Sequence, residues 1–266
     1  MSKSKLEELR SILNALQPEL VDIQQNEVVP GEEILIEYYN LLFSDEERSC
    51  SIQLYDPEDH VKCMFQWDGA NLFSLHRPEL NQLSNMILHW VVKKIVPSKM
   101  QVLFQSLEIG MVASYYEKGE GVKGEFIHSW NKEEEFYQWC LSEFNTPKYK
   151  AYLQLIKILR AEGLDEQFRA GSSLEALVLS RSKRYGLDVN SSYIKFYFPL
   201  DGGLQVNYYF ENPKTDIQNY DPEDISSGSG INQSPFHPHE KSILTELRYT
   251  DELKALIERL LQEEIK

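Results

Sequence analysis

Ile194-Lys195-Phe196-Tyr197-Phe198-Pro199-Leu200-Asp201-Gly202-Gly203-Leu204-Gln205-Val206-Asn207-Tyr208-Tyr209-Phe210 reads as two strands joined by a glycine turn. β-Branched and aromatic side chains favour the pleated strand. Asp201-Gly202-Gly203 supplies the positive φ that a tight hairpin requires. Residues 193–198 and 203–210 are therefore expected to form a hairpin. Helical periodicity lies on either side of it. Tyr149, Tyr152, Leu153, Ile156 and Leu159 stripe one helix, and Leu253, Leu256, Ile257, Leu260, Leu261 and Ile265 stripe another. Strand pairs interleaved with amphipathic helices give an α+β protein.

A second feature bears on domain organisation. Ile52-Gln53-Leu54-Tyr55-Asp56-Pro57-Glu58-Asp59 returns as Ile217-Gln218-Asn219-Tyr220-Asp221-Pro222-Glu223-Asp224, with seven of eight positions identical. Each copy follows a turn and a strand pattern carrying paired tyrosines, Tyr38-Tyr39 and Tyr208-Tyr209. Upstream, Ser4-Lys5-Leu6-Glu7 and Ser172-Ser173-Leu174-Glu175 both fit a helix capping box, in which hydroxyl and carboxylate satisfy N-terminal N–H groups reciprocally. Two readings stand side by side. One is a degenerate internal duplication, giving two lobes that are each an antiparallel sheet covered by helices. The other is ordinary turn chemistry, since Asp-Pro-Glu-Asp presets and caps a turn without any ancestry.

The expected elements follow in order. A helix spans about 4–17, with Leu6, Leu9, Leu13 and Leu16 on one stripe. Strand patterns occupy 19–25, 33–43, 50–56, 61–67 and 71–75, and a helix runs 78–96 until Pro97. Strands at 101–105, 107–117 and 123–129 are expected next. Asn131 and Glu134 then form a capping box for a helix burying Phe136, Trp139 and Cys140. Asn145-Thr146-Pro147 is the linker candidate, dividing the chain into 1–145 and 146–266. A further capped helix is expected over 173–185. Residues 211–241, with Ser226-Ser227-Gly228-Ser229-Gly230 at their centre, lose periodicity and read as a long flexible loop.

Composition restricts the function classes. The chain has 266 residues, 42% hydrophobic and 12% aromatic, enough for real cores. Its formal net charge is −15. Phosphate-backbone binding needs a basic footprint, so nucleic acid is not the expected ligand, whereas a basic protein partner is. Residues 1–145 carry 12 Lys+Arg against 24 Asp+Glu, and residues 146–266 carry 15 against 18. Within the second part, Lys148, Lys150, Lys157, Arg160, Arg169, Arg181, Lys183 and Arg184 make a basic island expected to dock the acidic first part, with binding of an anion as the alternative. Cys50, Cys63 and Cys140 have no metal-type spacing and leave an odd thiol if two bridge, which points to a reducing cytoplasm. The stretch from Met1 to Leu16 reads as a polar helix without an apolar signal core, and no run reaches membrane-spanning length.

Chemical motifs are sparse. His237-Pro238-His239-Glu240 places two imidazoles on one side of an extended segment, with a carboxylate beside them. That set suits a metal, and exposed loop histidines explain it equally. Ser180-Arg181-Ser182-Lys183 matches S-x-x-K, but the S-D-N and K-T-G elements that would accompany it in an acylase are absent from the sequence. No cofactor-binding fingerprint occurs.

The 194–210 hairpin resembles the aromatic hairpin of some bacterial immunity proteins, small acidic α+β proteins of the cytoplasm that neutralise secreted toxins. The resemblance implies a non-catalytic protein that captures a basic partner as an immunity protein or inhibitor does. The expected contacts are Tyr38, Tyr39, Asp56, Glu58, Asp59, Tyr208, Tyr209, Asp221, Glu223 and Asp224. The competing expectations are a metal-dependent or hydrolytic enzyme using His237, His239 and Glu240 in the 211–241 loop, and a structural adaptor.

Overall fold

A computed structural model describes residues 8–9, 11, 21–24, 38–55, 60–76, 78–105, 107–173, 176–184, 191–199, 203–210 and 241–266. The chain is α+β, with two five-stranded antiparallel sheets. It divides into two compact units, Met1–Gly121 and Val122–Lys266.

The first unit is a strand meander followed by helices. Strands β1 (Val21–Gln24), β2 (Tyr38–Asp45), β3 (Arg48–Tyr55), β4 (His60–Trp67) and β5 (Ala70–His76) pair in sequence order. Alternate residues of β3 and β4 enter the core, with Cys50, Ile52, Val61, Cys63 and Phe65 all buried. The register slips at Phe65/Gln66, and this bulge turns both Leu72 and Phe73 inward, where strict alternation would expose one of them. Helix α1 (Leu80–Ile87) continues into a π-helical turn, Leu88–Val92. That turn buries Trp90, whose indole N–H donates to the carbonyls of both Ser49 and Gln66 at 3.1 Å. The helix expected to run to 96 ends at Val92, ahead of Lys94 at φ 48°, and Pro97 instead opens the next, α2 (Pro97–Leu103), which α3 (Met111–Glu117) follows.

Arg48 sits at the turn end of this sheet and is 2% exposed. Its guanidinium carbon lies 3.4 Å from the ring centre of Trp67 and 4.0 Å from that of Trp90. Burial draws its pKa down to about 10, against the opposing pull of Glu47 and Glu117, so it stays cationic at neutral pH. Nε and Nη1 have no hydrogen-bond acceptor, and the two indole faces take their place.

The second unit opens with α4 (Gly121–Phe144) and α5 (Pro147–Ala161), then a 3-10 turn, Leu164–Glu166. Strands β6 (Arg169–Ser173), β7 (Ala176–Ser180), β8 (Tyr193–Tyr197), β9 (Leu204–Tyr209) and β10 (Lys241–Thr245) follow, again ordered as a meander, before α6 (Asp251–Leu261). The expected 194–210 hairpin is present as β8–β9, with Phe196 opposite Val206. Thr250 caps α6 by accepting the Leu253 N–H at 3.2 Å. Tyr137 stacks on Tyr152 at 4.5 Å, and Tyr152 meets Phe198 edge-on at 4.7 Å. Aromatic rings thereby join the helices to the sheet.

Several expectations are corrected here. The segments read as strands at 101–105, 107–117 and 123–129 are mainly helical, in α2, α3 and α4. Asn131 lies inside α4 instead of capping it, and Phe136 and Trp139 face solvent. Conversely, Ser172 and Ser173 end β6, so the helix expected over 173–185 gives way to the β6–β7 hairpin. All five residues of β7 are buried, a continuous apolar run whose period does not tell strand from helix. The division falls ahead of α4, not at Asn145-Thr146-Pro147, because Trp130, Tyr137 and Cys140 share a core with Tyr152, Leu155 and Phe196. Asn145, at φ 46°, makes the tight corner between α4 and α5, and Pro147 starts α5.

Candidate interaction surface on helix α4

Helix α4 has two unlike faces. Its inner face lies along β6, which stands at the edge of its sheet. Edge strands present unpaired N–H and C=O groups that must be covered or charged. Side chains of α4 meet β6 and the residue ahead of it at successive turns. Glu125 pairs with Arg169 at 3.4 Å, both nearly buried. Ser129 Oγ accepts the Ala170 N–H at 2.9 Å while donating to the Phe126 carbonyl at 2.6 Å. The Trp130 indole N–H donates to the Phe168 carbonyl at 2.8 Å. Glu133 completes the row by bonding Ser172. Burial pushes the Glu133 carboxyl above its ordinary range, only partly offset by that hydrogen bond, and its Oε2 has no partner.

The outer face carries Phe136, Trp139 and Phe144, which are 38%, 54% and 59% exposed. The rings touch in sequence: Phe136 to Trp139 at 6.3 Å, Trp139 to Phe144 edge-on at 6.0 Å, and Phe144 to Tyr149 at 6.1 Å. Tyr149 is buried, so the exposed rib is rooted in the core. Glu135 and Glu143 flank Trp139 at four residues on either side, and both are exposed. Neither joins an ion pair among the described residues. Glu134, by contrast, is engaged by Arg160 at 2.9 Å.

Three arginines of the basic island are committed at home. Arg160 pairs with Glu134 and Asp165, Arg169 with Glu125, and Arg181 donates to the carbonyls of Glu263 and Gln167. Glu125 and Glu134 do lie in the acidic first part as the sequence divides it, yet they belong to the same compact unit as the arginines. The charge complementarity expected between two parts thus operates within one.

Of the sequence-expected contacts, the two tyrosine pairs fall within the described residues. Tyr38 and Tyr39 open β2, opposite Tyr55 and Leu54, whereas Tyr208 and Tyr209 close β9. Adjacent strand residues point to opposite faces. Tyr208 accordingly packs on the core, while Tyr209 lies 6.1 Å from Tyr193. The two rings of that pair lie on opposite faces of the sheet. Asp56, Glu58, Asp59, Asp221, Glu223, Asp224, His237, His239 and Glu240 lie outside the described residues. Among the described residues no cluster of His, Cys, Asp or Glu suits a metal ion. A cleft lined by Arg181, Ser191, Ser192 and Glu263 has about 10 Å³ of room, enough for a single water. Of the S-x-x-K residues, Ser180 is buried in β7 and faces Tyr193, and Lys183 follows the strand, so the helical spacing that would bring the pair together is absent.

The sequence does not single out the α4 rib, because Phe136 and Trp139 have the spacing and composition of core residues. No protein-family model, curated protein or solved structure matches the chain. Among the described residues no helix is long and apolar enough to cross a membrane.

Proposed function

We propose that this chain is a non-catalytic, cytoplasmic protein-binding protein that captures a basic protein partner, as an immunity protein or inhibitor would. The observation that carries this reading is the exposed rib Phe136–Trp139–Phe144. Large amphipathic rings held in fixed positions are the residues on which interface energy concentrates. The net charge of −15 adds long-range attraction for a basic partner. The expected contact surface accordingly moves from the tyrosine pairs to α4.

Capture tests it. Tagged chain would be used on lysate of its own cells at moderate salt, beside a Trp139→Ala/Phe144→Ala variant. One stoichiometric basic protein, lost at high salt and lost by the variant, supports the reading. A partner held equally by the variant removes α4 from the interface, and an empty eluate at every salt concentration rejects capture altogether.

A further inference from the structure

We infer that α4 receives an arginine of the partner, laid on the Trp139 indole between Glu135 and Glu143. The inference rests on the protein-binding reading above and names the chemistry of its occupant. Three observations converge on a cation. Trp139 is 54% exposed, and tryptophan is the best aromatic acceptor of a cation. Glu135 and Glu143 stand one helical turn before and after it, on the same stripe, each exposed and in no ion pair among the described residues. The helix is 24 residues long and has no basic residue in its last turn, where the macrodipole favours positive charge.

Two cations stand nearby in the sequence. Lys132 is two turns earlier, and Lys148 is occupied 5.0 Å above Tyr149. Within the chain, Arg48 shows the same liking of guanidinium for indole, at 3.4 Å from Trp67. A planar guanidinium can stack on the ring while its edge N–H groups reach a carboxylate. An ammonium, a compact point charge, has no plane to stack on the ring.

Full-length chain would be titrated with short labelled amphipathic peptides whose polar face is Arg, Lys or Gln and whose other face is Leu, read by fluorescence anisotropy. The Arg peptide should bind about tenfold more tightly than the Lys peptide. Trp139→Ala should weaken it about thirtyfold, the size of an interface anchor. Glu135→Gln/Glu143→Gln should weaken it about tenfold. Glu108→Gln/Glu120→Gln, which removes the same charge from exposed sites elsewhere, should leave affinity unchanged. Equal loss from both double variants would mean nonspecific attraction and would overturn the inference. So would failure of every peptide to bind. A Gln peptide that binds as tightly as the Arg peptide, with the loss confined to Trp139→Ala, would also overturn it while leaving α4 as a protein-binding surface.

Discussion

Ser129 and Ser142 are two serines of one helix that make the same local hydrogen bond, from Oγ to the carbonyl three residues earlier. Only Ser129 has a second role, because its Oγ also accepts the Ala170 N–H of the edge strand at 2.9 Å. Ser129 is 4% exposed and Ala170 is 3% exposed, so water cannot replace the hydroxyl. Ser129→Ala therefore strands a buried N–H, which costs about 1–3 kcal/mol. Alanine's better helix propensity returns only about 0.5 kcal/mol. A net loss of about 1.5 kcal/mol lowers the melting temperature by about 3–6 °C for a unit of this size. Ser142→Ala strands nothing and should change stability by less than about 0.5 kcal/mol. Calorimetry of both variants, with amide exchange at Ala170, makes the comparison. If the two melt alike and Ala170 stays equally protected, α4 does not close that strand edge.

Two further outcomes follow from buried charge. Glu133 is raised by burial, so its folded-state pKa lies above its unfolded one; any stability it adds is present at acid pH and lost as pH rises through the folded value. Glu133→Gln should consequently raise the melting temperature at pH 7 and lose that advantage near pH 4, and denaturation across that range would refute the argument if the gain were independent of pH. Arg48→Lys keeps the charge but cannot stack on Trp67 and Trp90 together, and should cost about 2 kcal/mol in urea titration; an unchanged midpoint would show that the indoles hold charge alone.

What was legible in the sequence was whatever one element's own pattern determines. β1 to β5 alternate or sit between turn residues, and in the sequence Asp201-Gly202-Gly203 marks a turn between β8 and β9. Those elements stand within a few residues of their expected places. The errors occur where a partner element sets the pattern. The inner face of α4 reads Glu125, Ser129, Glu133, polar residues at helical spacing, because the edge of β6 needs hydrogen bonds there instead of methyl groups. Those polar residues interrupt the apolar row of Phe126, Trp130, Tyr137 and Cys140, so the first half of α4 resembles strand. The same substitution of polar for apolar inside hid the second half, since Phe136 and Trp139 then supplied the apolar residues a core was expected to have. Ser172-Ser173 resembled a cap for a related reason: hydroxyl residues at a strand end facing Glu133 have the same composition as a helix start. The duplication argument loses its helix equivalence with that correction, and the two units share their meander topology.

The aromatic rib cannot be explained by folding. The inner face of α4 secures it to β6 through four side chains, and Tyr137, Trp130 and Cys140 supply its apolar contact with the core. Among the described residues nothing on the outer face needs an indole. Exposed rings in a row favour association in water, and soluble proteins usually restrict such patches to places where something binds. Here the row lies on one of the best-anchored helices of the chain, so little ordering entropy would be lost on binding. It also lies between two carboxylates whose charge is not balanced by a described ion pair. A folding role would predict that Trp139→Ala lowers stability. A binding role predicts unchanged or higher stability with loss of capture, and urea unfolding of that variant beside its capture assay separates the two.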